Sequence, residues 1–164
     1  MKEIIDVCCG GRMWWFNKTK PNVLFMDKRE EKKGVIKEKG CQNYEVKPDI
    51  IGDFTKIPFP DESFFKVVCD PPHKIKPDSG LITKKYGFLG QNWEEDLSQM
   101  FDECWRILKP GGTLIIKWAD VDIPPRKVLS CFQNWEERLD VSTHTKKGVN
   151  NTYFFSFFKE VLDE

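Results

Sequence analysis

In the first half of the chain, four of the aspartates stand at or just past the end of a short apolar run. They are Asp6, Asp27, Asp53 and Asp70. Carboxylates grouped together suit a ligand that carries ribose hydroxyls, amino groups and a positive charge, and they repel a pyrophosphate. Aspartate is also common at strand ends as a turn former or helix cap, so each of the four, taken alone, has a purely structural alternative.

The runs before these aspartates predict four short strands. They cover residues 4–8, 23–26, 49–52 and 64–69. Short, almost continuously apolar strands that alternate with helical patterns are typical of a parallel sheet covered on both faces. With right-handed crossovers, the ends of such strands lie along one edge, and ligands bind outside that edge where the strand order reverses. We therefore expect the four aspartates to share one crevice.

The remaining patterns complete an α/β fold. Apolar residues at three- and four-residue steps predict an amphipathic helix over 93–108. We also expect helices at 28–39 and 123–132, a fifth strand at 113–118, and an antiparallel pair at 136–142 and 153–158. The predicted architecture is a single domain over 1–164, a three-layer Rossmann-like fold with a mostly parallel seven-stranded sheet and an antiparallel C-terminal strand. Residues 74–90 show no clear pattern, and loops of this length are usually functional.

Composition limits the class of protein. The chain has 26 basic and 26 acidic side chains and no formal net charge. A dedicated duplex-DNA binder is usually basic, so a nucleic-acid contact requires a local patch or a partner. The six cysteines form no C-x-x-C pair and there are two histidines, which argues against a metal site. We find no signal peptide and no apolar stretch that could span a membrane, and we expect a cytoplasmic protein.

Several stretches resemble the class I, Rossmann-like S-adenosylmethionine (SAM)-dependent methyltransferases. DVCCGG at 6–11 is similar to the first motif of that family, in a variant with a bulky residue in place of the first glycine. IPFPDESFFKVV at 57–68 and LKPGGTLI at 108–115 also resemble family stretches. The resemblance extends over nearly the whole chain in the expected order. It implies that S-adenosyl-L-methionine is the cofactor.

The resemblance also implies the residues that bind the cofactor. In the family, the residue matching Asp27 binds the two ribose hydroxyls, and the pair matching Asp53 and Phe54 meets the adenine amino group and packs on its ring. Gly10 matches the central glycine, which lets the backbone approach the cofactor. The complete expected set is Asp6, Cys8, Cys9, Gly10, Asp27, Asp53, Phe54 and Asp70.

The tetrapeptide Asp70-Pro71-Pro72-His73 stands where the DPPY-type nucleobase amino-methyltransferases carry their catalytic motif. An exocyclic amine is a poor nucleophile because its lone pair is delocalised into the ring. Acceptors around its N–H groups favour a pyramidal nitrogen, and Asp70 and the Pro71 carbonyl can supply them on a turn stiffened by two prolines. His73 replaces the usual aromatic residue and can still stack on a base. The structural alternative is a plain turn with an exposed histidine.

These observations favour a methyltransferase that acts on an exocyclic amino nitrogen of a nucleobase in DNA or RNA, with 74–90 as the substrate loop. Enzymes that flip a base from a duplex normally carry extra recognition elements, and this chain has little room for them. It would therefore act on single strands or structured RNA, form a homodimer, or rely on a protein partner. Two alternatives remain: a small-molecule methyltransferase, and a non-catalytic cofactor-binding subunit of a larger nucleic-acid enzyme.

Overall fold

Seven strands and four helices occur in the part of the chain that the structure, a computed structural model, describes: residues 2–148 and 150–161. The strands are β1 (Ile4–Asp6), β2 (Val23–Asp27), β3 (Ile50–Ile51), β4 (Phe64–Cys69), β5 (Leu108–Ala119), β6 (Leu139–Lys147) and β7 (Asn150–Phe158). The helices are α1 (Leu81–Tyr86), α2 (Trp93–Ile107), α3 (Pro125–Leu129) and α4 (Trp135–Arg138). Among these, no helix is long and apolar enough to cross a membrane.

The strands form one mixed sheet in the order β3-β2-β1-β4-β5-β7-β6. Neighbours from β3 to β5 are parallel, whereas β7 is antiparallel to both β5 and β6. The strand order reverses between β1 and β4, so the chain leaves these two central strands in opposite directions. The predicted α/β class, with a mostly parallel seven-stranded sheet and an antiparallel strand near the C-terminus, is confirmed. The reversal marks the place where a ligand crevice is expected.

The main hydrophobic core lies between one face of the sheet and the helices α2 and α3. Leu97 and Phe101 of α2 are fully buried there with Leu114 of β5 and Phe157 of β7. The ring of Phe101 stacks on Phe132 at a centroid distance of 4.6 Å. The apolar stripe forms α2 as predicted, and acidic residues in its first turn and Arg106 in its last turn complement the helix dipole.

The opposite face is covered by irregular chain instead of helices. Residues 7–22, which connect β1 to β2, contain no helix. Trp15 packs edge-on against Phe25 at 5.8 Å, and Trp14 packs edge-on against Phe154 at 5.9 Å. The second outer layer is therefore thin over β1 and β2, and parts of β4, β5 and β7 on this face remain partly exposed.

The helix predicted at 28–39 is wrong. The structure has turns in this region, and Gly34 adopts a left-handed conformation with φ of 78°, which interrupts a right-handed helix. Glu31 instead pairs with Val46 through two backbone hydrogen bonds of 2.9 Å, N–H of each to C=O of the other. The charged, helix-forming composition did not reveal this long-range pairing.

Other boundaries differ from the prediction. Residues 74–90 contain the short helix α1, and the predicted helix at 123–132 is reduced to α3. Strand β5 starts at Leu108, before the two glycines, because Leu108 already pairs with Phe64 across a register shift. The first strand of the antiparallel pair begins later than predicted, since its expected start at 136 lies within α4.

Candidate active site

A small cavity lies at the carboxyl edge of the sheet, beside the point where the strand order reverses. Its volume is about 40 Å³, which leaves room for about three water molecules. Tyr86, Gly87 and Phe88 close one side of it. Six residues predicted for the site are among its walls: Cys8, Gly10, Asp27, Phe54, Asp70 and Pro72. The segments at the ends of four strands, β1 to β4, thus contribute to one cavity.

Asp27 connects the end of β2 to the turn after β1. Its Oδ2 accepts a hydrogen bond from the Gly10 N–H at 2.8 Å, and its Oδ1 accepts one from the Arg29 N–H at 2.9 Å. Gly10 has a φ of 47°, a conformation that favours glycine. Each carboxylate oxygen has two lone pairs, so Asp27 can still accept hydrogen bonds from a diol in the cavity.

Asp53 and Phe54 lie beside this cavity in different ways. Phe54 lines it, and it also lines a neighbouring cavity of about 50 Å³. Asp53 lines only the neighbouring cavity of the two, and its Oδ1 accepts hydrogen bonds from the Thr55 N–H at 2.9 Å and the Thr55 hydroxyl at 2.8 Å. The ring of Phe54 is therefore placed to contact a ligand that extends between the two cavities. The Asp53 carboxylate also stabilises the turn that contains Thr55.

Asp6 and Cys9 lie behind the cavity wall. Asp6 is 2% exposed, and its Oδ2 accepts a hydrogen bond from Trp15 Nε1 at 2.8 Å. Burial raises the pKa of Asp6 to about 7, although the Trp15 hydrogen bond opposes the shift. Cys9 packs with Val23 and Phe25 on the sheet face that Trp15 covers. The structure therefore places neither side chain among the walls of the cavity, and Asp6 anchors Trp15.

The Asp70 carboxylate lies between the side chains of Lys117 and His73. Lys117 Nζ donates a hydrogen bond to its Oδ2 at 2.6 Å, and His73 Nε2 lies 3.2 Å from its Oδ1. The Asp70 N–H donates to Cys8 Sγ at 3.1 Å. Burial acts to raise the pKa of Asp70, but His73 and Lys117 outweigh it and hold the pKa below its ordinary value. Asp70 is therefore ionised at neutral pH.

A second, larger cavity begins on the other side of Asp70. It has a volume of about 570 Å³, and its walls include His73, Tyr86 and Lys117. Asp70 and Tyr86 line both cavities and so stand at their junction. The ring of His73 packs edge-on against Trp118 at 4.9 Å and is largely buried, which differs from an exposed turn residue. Pro71 and Pro72 are buried next to it.

The segment 74–90, here called the roof segment, covers the first cavity. The Tyr44 hydroxyl donates to the Lys85 carbonyl at 2.5 Å, and Arg29 Nη2 donates to the same oxygen at 3.1 Å. Lys84 also pairs with Glu38. Since the cavity beneath has a volume of only about 40 Å³, a ligand of nucleoside size requires this segment to move.

Three residues of this arrangement were missed by the sequence analysis: Arg29, Tyr44 and Lys117. The sequence does contain an indication of a role for Lys117, because it is the one charged residue in the apolar run TLIIKW and lies near the end of β5. The sequence contains no such indication for Arg29 and Tyr44, since their roles depend on long-range contacts with the roof segment. Within the described residues, no group of three or more His, Cys, Asp or Glu side chains is arranged to hold a metal ion.

Comparison with known proteins gives a likeness in structure only. No protein-family model matches the chain, and no curated protein does. A SAM-dependent methyltransferase from Methanosarcina mazei has a similar structure, with a TM-score of 0.59 and 12% identity over 98% of this chain and 95% of that one.

Two further solved structures show the same likeness. TrmN from Thermus thermophilus has a TM-score of 0.57 and 13% identity, and the match covers 95% of this chain but 43% of TrmN. A geranyl diphosphate methyltransferase in complex with SAM has a TM-score of 0.56 and 10% identity, over 95% of this chain and 77% of that one. At these identities the comparison establishes the fold, and the chain has the Rossmann-like fold of SAM-dependent methyltransferases.

Proposed function

We propose that this protein is a SAM-dependent methyltransferase that transfers a methyl group to an exocyclic amino nitrogen of a nucleobase in DNA or RNA. The observation that carries the proposal is the position of Asp70. This ionised carboxylate follows β4, is succeeded by two prolines, and stands where a small cavity at the sheet edge meets a larger one. A donor in the first cavity and an acceptor in the second would meet beside it.

The first cavity has the side chains that a sulfonium nucleoside requires. Asp27 can accept hydrogen bonds from the ribose hydroxyls, Gly10 permits close approach of the backbone, and Phe54 offers an aromatic surface to the adenine. SAM, when bound, supplies an electrophilic methyl group. The structure of the geranyl diphosphate methyltransferase, which has the same fold, is of its complex with SAM, and this supports the choice of cofactor.

Asp70 and its prolines would prepare the amine. An Asp70 oxygen accepts one N–H of the amino group and the Pro71 carbonyl accepts the other, which directs the nitrogen lone pair towards the methyl group. The two prolines fix the turn, so these acceptors need little rearrangement. As the nitrogen becomes positively charged, ionised Asp70 stabilises it, and the excess proton then passes to water. Positioning is the main contribution of such a site.

The test is methyl transfer from labelled SAM to separate pools of DNA, RNA and small metabolites. We expect label in a nucleic-acid pool. Asp70→Ala should reduce transfer by more than about 100-fold, since it removes both the charge and the acceptor next to the reacting nitrogen, while the Kd for SAM stays within a few-fold. The matched control is Asp102→Ala on the exposed side of α2, which should leave transfer unchanged.

In contrast to the Asp70 variant, Asp27→Asn should mainly weaken the binding of SAM. An amide has one acceptor oxygen in place of two, so it cannot serve both the Gly10 and Arg29 N–H groups. Calorimetry measures the Kd, and circular dichroism checks folding. If label appeared in the metabolite pool alone, the substrate would be a small molecule and not a nucleobase of DNA or RNA. SAM binding without transfer to any pool would indicate a non-catalytic subunit, and full activity of Asp70→Ala would refute the proposed role of Asp70.

A further inference from the structure

The Asp70–Lys117 pair places a hydrogen-bond acceptor and a donor side by side at the junction of the two cavities. We propose that Lys117 is a specificity-determining residue, which donates a hydrogen bond to the ring nitrogen next to the amino group that is methylated. This inference rests on the proposed function and names a feature of its substrate: an amino group bonded to a carbon that also carries an unprotonated ring nitrogen.

The sheet fixes this pair. Cys69 and Ile116 are register partners in β4 and β5, and Asp70 and Lys117 are the next residues along these parallel strands. The ammonium lies 2.6 Å from Asp70 Oδ2 and 5.9 Å from the ring centroid of Trp14. The side chain of Lys117 is 28% exposed and that of Asp70 is 15% exposed. Both groups are therefore held in place before a substrate arrives.

The pair keeps unused hydrogen-bonding capacity towards the larger cavity, whose walls include both side chains. An ammonium has three donors, and a carboxylate can accept about four hydrogen bonds. A base edge with an amino group beside a ring nitrogen presents a donor and an acceptor on atoms bonded to one carbon. The adjacent Asp70 oxygen and Lys117 nitrogen form the complement of such an edge.

This complement selects among amines. The amino groups of adenine and cytosine have an unprotonated ring nitrogen beside them, whereas an aliphatic amine or an aniline has none. A bare carboxylate would accept hydrogen bonds from all of these amines, so Asp70 alone does not distinguish them. Lys117 adds the distinction, because the ammonium would be left without its acceptor when the ring nitrogen is absent.

The experiment compares methylation of oligonucleotides that differ by one ring atom. Adenine is compared with 1-deazaadenine, and cytosine with 3-deazacytosine. 7-Deazaadenine is the control for adenine, because the nitrogen that it lacks is not bonded to the carbon that carries the amino group. Wild-type protein should lose roughly 10- to 100-fold in kcat/KM when the relevant nitrogen becomes C–H, as expected for a hydrogen bond to a charged group. Lys117→Met should be slower on the natural base and insensitive to the deaza replacement. Lys117→Gln, which keeps a donor, should retain part of the sensitivity.

Lys66→Met is the matched control, because Lys66 is an exposed residue on the same sheet face and should keep the full deaza penalty. An equal deaza penalty in wild type and Lys117→Met would overturn the inference. So would a wild-type enzyme that is indifferent to loss of the ring nitrogen beside the amino group, a result that needs no variant to fold. Absence of label on any nucleic acid is a different result, which would contradict the proposed function itself.

Discussion

Asp6 and Asp70 end neighbouring strands yet have opposite electrostatic environments. Burial raises the pKa of Asp6, and the negative charge of Asp70 adds to this shift. For Asp70 burial acts in the same direction, but His73 and Lys117 outweigh it and lower the pKa. The protein therefore keeps the Asp70 carboxylate ionised and tolerates behind it a carboxyl group, Asp6, that is about half protonated at pH 7. Only the ionised one faces the two cavities.

The raised pKa of Asp6 predicts an unusual effect of pH on stability. The folded protein retains the Asp6 proton up to about pH 7, whereas the unfolded chain loses it near the ordinary pKa of 3.8. Between these values the unfolded state binds fewer protons, so this group lowers the free energy of unfolding as the pH rises. Asp6→Asn removes the ionisation and keeps an acceptor for Trp15. At pH 8 we expect Asp6→Asn to be more stable than wild type by roughly 2–4 kcal/mol.

Chemical denaturation at pH 4, 6 and 8 measures this difference, which should be small at pH 4 and grow up to about pH 7. Asp102→Asn, on the exposed side of α2, should show no such trend. If Asp6→Asn were less stable than wild type by the same amount at every pH, the hydrogen bond to Trp15 would matter more than ionisation.

At the residue scale the sequence predicted which edge carries the acidic side chains but not where each one points. Strand ends and the first-motif resemblance led to Cys8, Gly10, Asp27, Phe54, Asp70 and Pro72, which line the first cavity. Asp6 satisfied the same strand-end criterion, yet it bonds Trp15 behind the wall. The difference depends on the path of residues 7–22, which has no periodic pattern from which a contact could be predicted.

At the element scale, the roof segment connects the fold to ligand access. Its central contact is the Lys85 carbonyl, which accepts hydrogen bonds from Tyr44 and Arg29. Burial raises the pKa of Tyr44 to about 12, so the hydroxyl remains a neutral donor at any physiological pH. The structure thus presents a closed form in which these contacts hold the roof segment over the first cavity.

Tyr44→Phe should favour opening of the roof segment. Loss of one hydrogen bond of about 1 kcal/mol corresponds to roughly a fivefold change in the opening equilibrium. Hydrogen exchange of the Ile75 amide, which bonds the Asp122 carboxylate outside the roof segment, should accelerate by about that factor. The association rate of SAM should rise in parallel.

Glu38→Gln provides the contrast for this test. It weakens the exposed pair with Lys84, and such surface pairs contribute little to stability. We therefore expect a smaller change in exchange than for Tyr44→Phe. Equal exchange in wild type and Tyr44→Phe would show that the contact with Lys85 does not hold the roof segment closed.

Elements with strong periodicity were predicted well, and elements defined by distant contacts were not. The bounds of β4 and α2 agree with the prediction to within one residue, because both are apolar patterns that pack in the core. The predicted helix at 28–39 failed because its composition is helical while Gly34 and the Glu31–Val46 pairing favour turns. Helix α1 has no buried residue, so it left no pattern to detect.

At the scale of the whole molecule, Phe101 connects the helices to the sheet. Its ring lies 4.6 Å from Phe132 and 5.1 Å from Phe157, and it is completely buried. Phe101→Ala should lower the free energy of unfolding by about 3–5 kcal/mol, because it removes the contacts of a buried ring and leaves a cavity. For a chain of this size the Tm should fall by about 10 °C.

The control uses the same substitution at an exposed position. The side chain of Phe16 is fully exposed, so Phe16→Ala should change the Tm by less than about 2 °C. Thermal unfolding followed by circular dichroism measures both variants. A similar Tm for Phe101→Ala and wild type would mean that this ring does not couple α2 to β7.

The strand order has a consequence for synthesis of the protein. β1 and β2 leave the ribosome before β4, α2 and β5 have been translated, yet Ile5 of β1 and Met26 of β2 share their core with Leu97 of α2. Since no helix connects β1, β2 and β3, the nascent N-terminal third has few surfaces of its own on which to bury them. β1 and β2 therefore keep apolar surface and unpaired edges exposed until the rest of the sheet is made, and such surface favours aggregation of the nascent chain during this interval.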